Sequence, residues 1–297
     1  MKKIFYIIAL GIALAGCSNN EDELLSTGSF PEDHVIRIIT EVNEPLSRAG
    51  YDVTNLERFG LMIRNSENAA YNYHKQMVSS GNAWSTSDGQ QMLWDAERTP
   101  VTMIAYAPYM SEAAPDASLV VNALTNQTTE ENVKSSDFLL MKATVDPEQD
   151  LTADGKLKIS LSHAMSKLLI KITVNGTTDA AMNKLGDMSI NGAVVNGICD
   201  LSATVPIVVP APDAVVATVA PYKGTESCEC ILPPQKIAEG FSVNFSYDGK
   251  LYIWTAKEAI ELEKGVEHTL TLNVNTTVRL AAKMARNWAT GQLIDRN

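Results

Sequence analysis

Midway along the chain, residues 155–175 read GKLKISLSHAMSKLLIKITVN and carry two alternations that cannot belong to one strand. Up to Met165 the apolar side chains stand at odd positions (Leu157, Ile159, Leu161, Met165), with His163 in the same row. From Leu168 they stand at even positions: Leu168, Ile170, Ile172 and Val174. Period two is the mark of a half-buried strand. A slip of one residue turns every side chain to the other face. The chain must therefore bulge near Ser166–Lys167, or leave one sheet there and enter another. The expectation is a joint between two β domains, residues 34–165 and 166–275.

The rest of the chain supports an all-β reading. Short runs rich in Val, Ile, Thr and Tyr follow one another at the spacing of β-sandwiches, and helical periodicity is nearly absent. Residues 34–42 place Ile36, Ile38, Thr40 and Val42 on one face. Residues 101–107 are apolar on both faces, as a central strand would be. Residues 110–133 are polar and predict a long surface excursion with one short strand at 119–121. In the second half, 192–201, 215–219, 228–232, 241–247, 251–255 and 267–274 predict strands, with Asp248-Gly249 as a hairpin turn. Residues 276–297 extend past an already complete pattern. Val278, Leu280, Ala282 and Met284 alternate there, although the Ala-rich run 281–285 also suits a helix. Arg279, Lys283, Arg286 and Arg296 against Asp295 make this tail basic, while the whole chain carries −11. A cationic appendage on an anionic body suits an acidic surface, its own or a neighbour's. The net charge argues against a nucleic-acid partner.

The first residues are set apart. Lys2 and Lys3 precede an apolar run too short to span a bilayer, and Leu14-Ala15-Gly16-Cys17 follows. This resembles the signal peptide and lipobox of bacterial lipoproteins, with residues 1–16 removed and Cys17 lipidated. The acidic cluster Glu21-Asp22-Glu23 resembles a surface-export signal of Bacteroidetes lipoproteins, and residues 17–33 read as a flexible lipid tether. Pro45 and Gly50 make 43–50 a loop, and Arg48 offers a trypsin-like protease a cleavage point before Ala49. A cut there detaches the strand at 34–42 together with the lipid. It leaves unpaired backbone and an empty apolar row. A strand from another subunit could fill that slot.

Several motifs together resemble the fimbrillin-like lipoproteins of Bacteroidales, the type V pilins. They are Leu14-Ala15-Gly16-Cys17, Ser47-Arg48-Ala49-Gly50-Tyr51, Phe59-Gly60, Trp84 and Trp94 about a polar loop, 105–109 (AYAPY), 161–168 (LSHAMSKL) and 247–252 (YDGKLY). The resemblance implies two tandem transthyretin-like β-sandwich domains, processing after Arg48, and a surface fimbria built by donor-strand exchange between pilin subunits. It makes Val278, Leu280, Ala282 and Met284 part of the donor, and Ile36, Ile38, Thr40 and Val42 the displaced strand. It also implies attachment to the outer membrane through Cys17 and adhesion to a host or bacterial surface ligand. The small side chains of the tail leave open a shaft, tip, anchor or non-polymerising role.

No catalytic, cofactor or metal constellation stands out. His34, His74, His163 and His268 are scattered, and the last two fall in apolar strand rows. Cys228 and Cys230 share one strand face, so with Cys199 they are either buried thiols or partners in one disulfide. The carboxylates cluster in loops as a solvated face. The alternative function is a non-polymerising surface lipoprotein that binds glycan or host protein, with Trp84, Trp94 or Trp254 stacking on sugar.

Overall fold

The structure is a computed structural model that describes residues 29–42, 50–52, 54–80, 83–174, 179–274, 278–287 and 293–295. The chain is all-β. Its first half supplies β1 (Arg37–Val42), β2 (Arg58–Asn65), β3 (Tyr73–Ser80), β4 (Ala83–Thr86), β5 (Val101–Ala107), β6 (Ser118–Asn122), β7 (Leu139–Val145) and β8 (Lys156–His163). All but β6 form one seven-stranded sheet in the order β1-β8-β7-β5-β2-β3-β4. The odd row of β8 (Leu157, Ile159, Leu161) packs with Phe59, Leu61 and Ile63 of β2 in one core. The opposite face of the sheet gives Met62, Ile104, Tyr106 and Leu140 to a second core shared with the later half. β5, apolar on both faces, lies centrally between β7 and β2, as its sequence requires.

The parity switch is a change of sheet. β8 ends at His163, and β9 (Ser166–Thr173) starts a different sheet two residues later. The later strands are β10 (Leu185–Val194), β11 (Asn196–Asp200), β12 (Val208–Pro210), β13 (Val216–Val219), β14 (Tyr222–Lys223), β15 (Cys228–Leu232), β16 (Gln235–Ile237), β17 (Ser242–Tyr247), β18 (Lys250–Thr255), β19 (Ile260–Leu262) and β20 (Val266–Val274). The tail adds β21 (Val278–Asn287) and β22 (Leu293–Asp295). These make a six-stranded sheet, β14-β15-β9-β20-β21-β22, and a four-stranded sheet, β13-β10-β17-β18. Smaller sheets are β12-β11-β6 and β16-β19.

Two elements differ from expectation. The strand expected over 192–201 is two strands, β10 and β11, that pair with different neighbours. Gly192 marks the irregularity that precedes the break: its φ is +89°, and a Cβ there would lie 2.5 Å from the Gly240 carbonyl oxygen, so only glycine fits. The 110–133 stretch contains the expected strand, yet it is no mere surface excursion. As β6 it pairs with β11, and Leu119, Val121 and Val133 enter the second core. Two buried glutamines serve as surrogate strand partners. The Gln127 amide accepts from Ile231 N at 2.8 Å and donates to Ile231 O at 2.8 Å. Gln235 does the same for Val194, at 2.9 Å each way. Each satisfies a backbone pair that a sheet edge would leave unmade.

Among the described residues the named ladders are antiparallel except two. β1 runs parallel to β8, and β9 runs parallel to β20. In both halves, therefore, an opening strand lies beside a closing one.

Candidate functional site

The first strand sits at a margin. β1 pairs with β8 from Arg37↔Lys156 to Val42↔Leu161 and has no other strand ladder among the described residues. On its far side the entering backbone is tied: Ile36 N donates to Met92 O at 2.9 Å, and Trp94 N donates to His34 O at 2.8 Å. Further along, the indole N–H of Trp84 on β4 donates to the Thr40 hydroxyl at 3.0 Å. A cleft of about 490 Å³ remains between β1 and residues 83–92, lined by Ile36, Ile38, Met77, Trp84 and Met92 among others. β1 thus bridges the two margins of a curled sheet without being laddered to both. The row expected to face inward does so. Ile36, Ile38 and Val42 are buried, and Thr40 is half-buried against Trp84. The docked chain begins ahead of residue 34. Phe30 packs on this core under the Arg98 guanidinium, 4.6 Å from the ring centroid.

Electrostatics fasten β1 at both ends. Asp33 and Arg37 pair at 2.5 Å, and the Arg37 guanidinium holds the exposed Asp33 carboxyl at about 2. Near the other end, Glu41 pairs with Lys158 at 2.7 Å and accepts from the Ser160 hydroxyl, both on β8. These two partners, Lys158 first, lower the Glu41 carboxyl.

Downstream of residues 43–49 the chain is clamped again. Tyr51 N donates to Asp137 Oδ2 at 3.0 Å, and the same oxygen lies 2.8 Å from His163 Nδ1 at the end of β8. Asp137 Oδ1 accepts from Phe138 N at 2.9 Å, so both oxygens of this buried carboxylate are used. Lys134 donates to Asn55 O at 2.6 Å and lies 5.1 Å from the Tyr51 ring centroid. Burial, then the Asp137 and Glu57 charges, push the Tyr51 phenol to about 12. Val42 lies opposite Leu161, and Tyr51 is tied beside His163. Val42 and Tyr51, the described residues nearest this ladder and this clamp, therefore both sit at the same end of β8.

Cys17, Arg48 and Ala49 lie outside the described residues. The tail is a strand: β21 runs antiparallel to β20, with Val278 opposite Val274 and Leu280 opposite Leu272. The ladder slips between Leu270 and Leu272, so Met284 stands opposite Thr269.

Most of the remaining candidates are core groups, while His34 and His74 are half-buried. His163 is held by Asp137, and His268 Nε2 accepts from Glu263 N at 3.0 Å. His74 lies 2.8 Å from the Tyr106 hydroxyl, and burial lowers its imidazole. Cys199, Cys228 and Cys230 are free thiols in the core. Trp94 and Trp254 are buried, and Trp84 stands edge-on to Phe59. The carboxylates are not all a solvated face: Asp137, Glu229 and Glu267 are buried. The signal missed was a charge lodged inside an apolar strand, which marks a paired group.

The geometry defines an all-β body whose first strand is a marginal, separately anchored piece. The chain belongs to the fimbrillin-like family, whose model matches residues 47–287. Its fold is similar to a candidate cell adhesion protein from Bacteroides uniformis ATCC 8492, at 16% identity and TM-score 0.64 over 87% of this chain and 99% of that one. A second candidate cell adhesion protein, from Bacteroides ovatus ATCC 8483, gives 18% and 0.64 over 86% and 97%. The tip fimbrial protein Mfa3 from Porphyromonas gingivalis gives 9% and 0.52 over 85% and 99%. No curated protein matches in sequence. Membership puts the chain in a fimbrial protein family, structural and not enzymatic.

Proposed function

We propose that this chain is a fimbrial subunit exported as a lipoprotein on Cys17, processed between Arg48 and Ala49, and polymerised by donor-strand exchange. It comprises two tandem β-sandwich domains, 34–165 and 166–275, behind a tether at 17–33 that carries it on the outer membrane until processing. The observation that supports this most is the bonding of β1, which has one strand ladder among the described residues and an apolar row in the core. Cutting the connection after it leaves the body clamped at Tyr51 and frees the strand alone. The vacated slot exposes Leu157, Ile159 and Leu161 beside an unpaired β8 edge, a surface that stays in water only at high cost. The tail segment 278–284 of a neighbouring subunit, released from its own β20, is the occupant. Its Val278, Leu280, Ala282 and Met284 take the places of Ile36, Ile38, Thr40 and Val42. The adhesion ligand is a host or bacterial surface.

Treatment with an Arg-specific protease, mass determination of the new N-terminus and electron microscopy test this. Material beginning at Ala49 that forms filaments or high-mass ladders supports it. Trimmed protein that stays solitary, or that assembles equally well without 276–297, overturns it.

A further inference from the structure

Lys167 is wholly buried, at 0% exposure, and its ammonium lies 2.9 Å from Glu229 Oε2. Glu229 itself is 6% exposed. The two stand on adjacent strands, since Lys167 belongs to β9 and Glu229 to its antiparallel neighbour β15. Glu229 is registered opposite Leu169, two residues from Lys167, so both side chains leave the same face of the sheet. On the other flank of β9, Glu267 of β20 is registered directly opposite Lys167 and is 3% exposed. Its Oε2 is buried and makes no hydrogen bond among the described residues. Ile231 and Leu169 close the same face with apolar surface. One ammonium and two carboxyl groups are therefore gathered across three neighbouring strands in a place shielded from water.

A buried ion pair is seldom retained for stability, because desolvation offsets most of its attraction. A primary amine held against a carboxyl group is also a condensation poised to occur. Fixed geometry supplies effective molarities of roughly 10⁵–10⁸ M, and loss of both charges relieves the burial penalty. We propose that Lys167 and Glu229 condense into an intramolecular amide that staples β9 to β15, with Glu267 as the proton relay. The Lys167 ammonium yields a proton to Glu267, and the freed amine attacks Cδ of Glu229. The Nζ–Cδ bond forms and one Cδ–O bond breaks. Both protons shed by the nitrogen end on the departing oxygen, which leaves as water, so Glu267 finishes as it began. No oxidant, nucleotide or metal takes part. The staple joins the strand that opens the second half to its neighbour, which would harden that sheet against pulling.

The test is a tryptic digest of the unaltered full chain, read by mass spectrometry. The expected product is peptide 159–171 joined to peptide 224–236, lighter than their sum by one water, with cleavage after Lys167 suppressed. Two linear peptides with normal cleavage after Lys167 overturn the proposal. Because this readout needs no substitution, failure of a variant to fold cannot shelter it. Glu267→Gln should slow appearance of the joined peptide by about 10²- to 10⁴-fold, the usual worth of a positioned acid–base group. Joining at the unaltered rate in Glu267→Gln overturns the relay role.

Discussion

Once the connection after β1 is cut, β1 stays in place by non-covalent contacts alone, so its retention measures the grip of the groove. Ile38 is the informative side chain. It is 5% exposed, lies in the first core, and stands opposite Leu157 on β8. Truncating a buried isoleucine to alanine costs about 2–5 kcal/mol. Each 1.4 kcal/mol is a factor of ten in an equilibrium constant, so Ile38→Ala should weaken retention of the cut strand roughly 30- to 3,000-fold. Ile39 sits on the alternate row and is half-buried, so Ile39→Ala should cost only about 1 kcal/mol. The assay uses the full chain with a unique protease site built into 43–49. After cleavage, serial dilution and gel filtration separate free from bound N-terminal peptide, and mass spectrometry quantifies each. Equal losses for the two variants, or no loss for Ile38→Ala, would refute the view that this buried row holds the strand.

Acid should loosen β1 through Glu41. Its carboxyl is lowered from the ordinary 4.5 by Lys158 and Ser160, so its contribution is complete above that value and fades as pH falls through the lowered one. Retention of the cut strand should decline as pH falls below 4.5, modestly because the pair is half exposed, and Glu41→Gln should flatten that part of the pH profile. Gly60→Ala should destabilise the fold by about 1–3 kcal/mol in urea titration. Its Cβ would lie 2.3 Å from the Tyr106 ring, which is fixed by Tyr106 donating to Met110 O at 2.9 Å. Burial pushes the Cys199 thiol to about 11 and the Cys228 thiol to about 12. Iodoacetamide at pH 8 should spare both in the folded protein and label them in urea, as intact mass will record.

The parity switch at 166–167 was legible because alternation reports which way side chains face. Facing is not pairing, however, and this explains what escaped. From Ala193 to Leu201 the odd positions are all buried, so the row runs unbroken while the backbone changes neighbours at Val195. Leu119 and Val121 announced a half-buried strand, and nothing local could say that its partner is β11, near residue 198. β4 went unseen because Ala83, Trp84, Ser85 and Thr86 carry a single large apolar side chain among small and polar neighbours. At the candidate site, Ile36, Ile38 and Val42 were readable as one apolar row, while the Asp137 clamp on Tyr51 spans 86 residues and leaves no local trace. Lys167 gave a faint signal, a charge inside SKLLIK, whose meaning depends on two carboxylates far along the chain.

The pairing of β1 with β8 also bears on how the molecule is made. Glu41 and Ser160, partners across that ladder, are 119 residues apart in sequence. A nascent polypeptide emerging from its N-terminus must carry the earliest strand unmatched until nearly the last of the first half has appeared. Contacts of such long range form slowly and late. The strand that waits longest for its neighbour during synthesis is also the one whose departure would undo the fewest earlier steps.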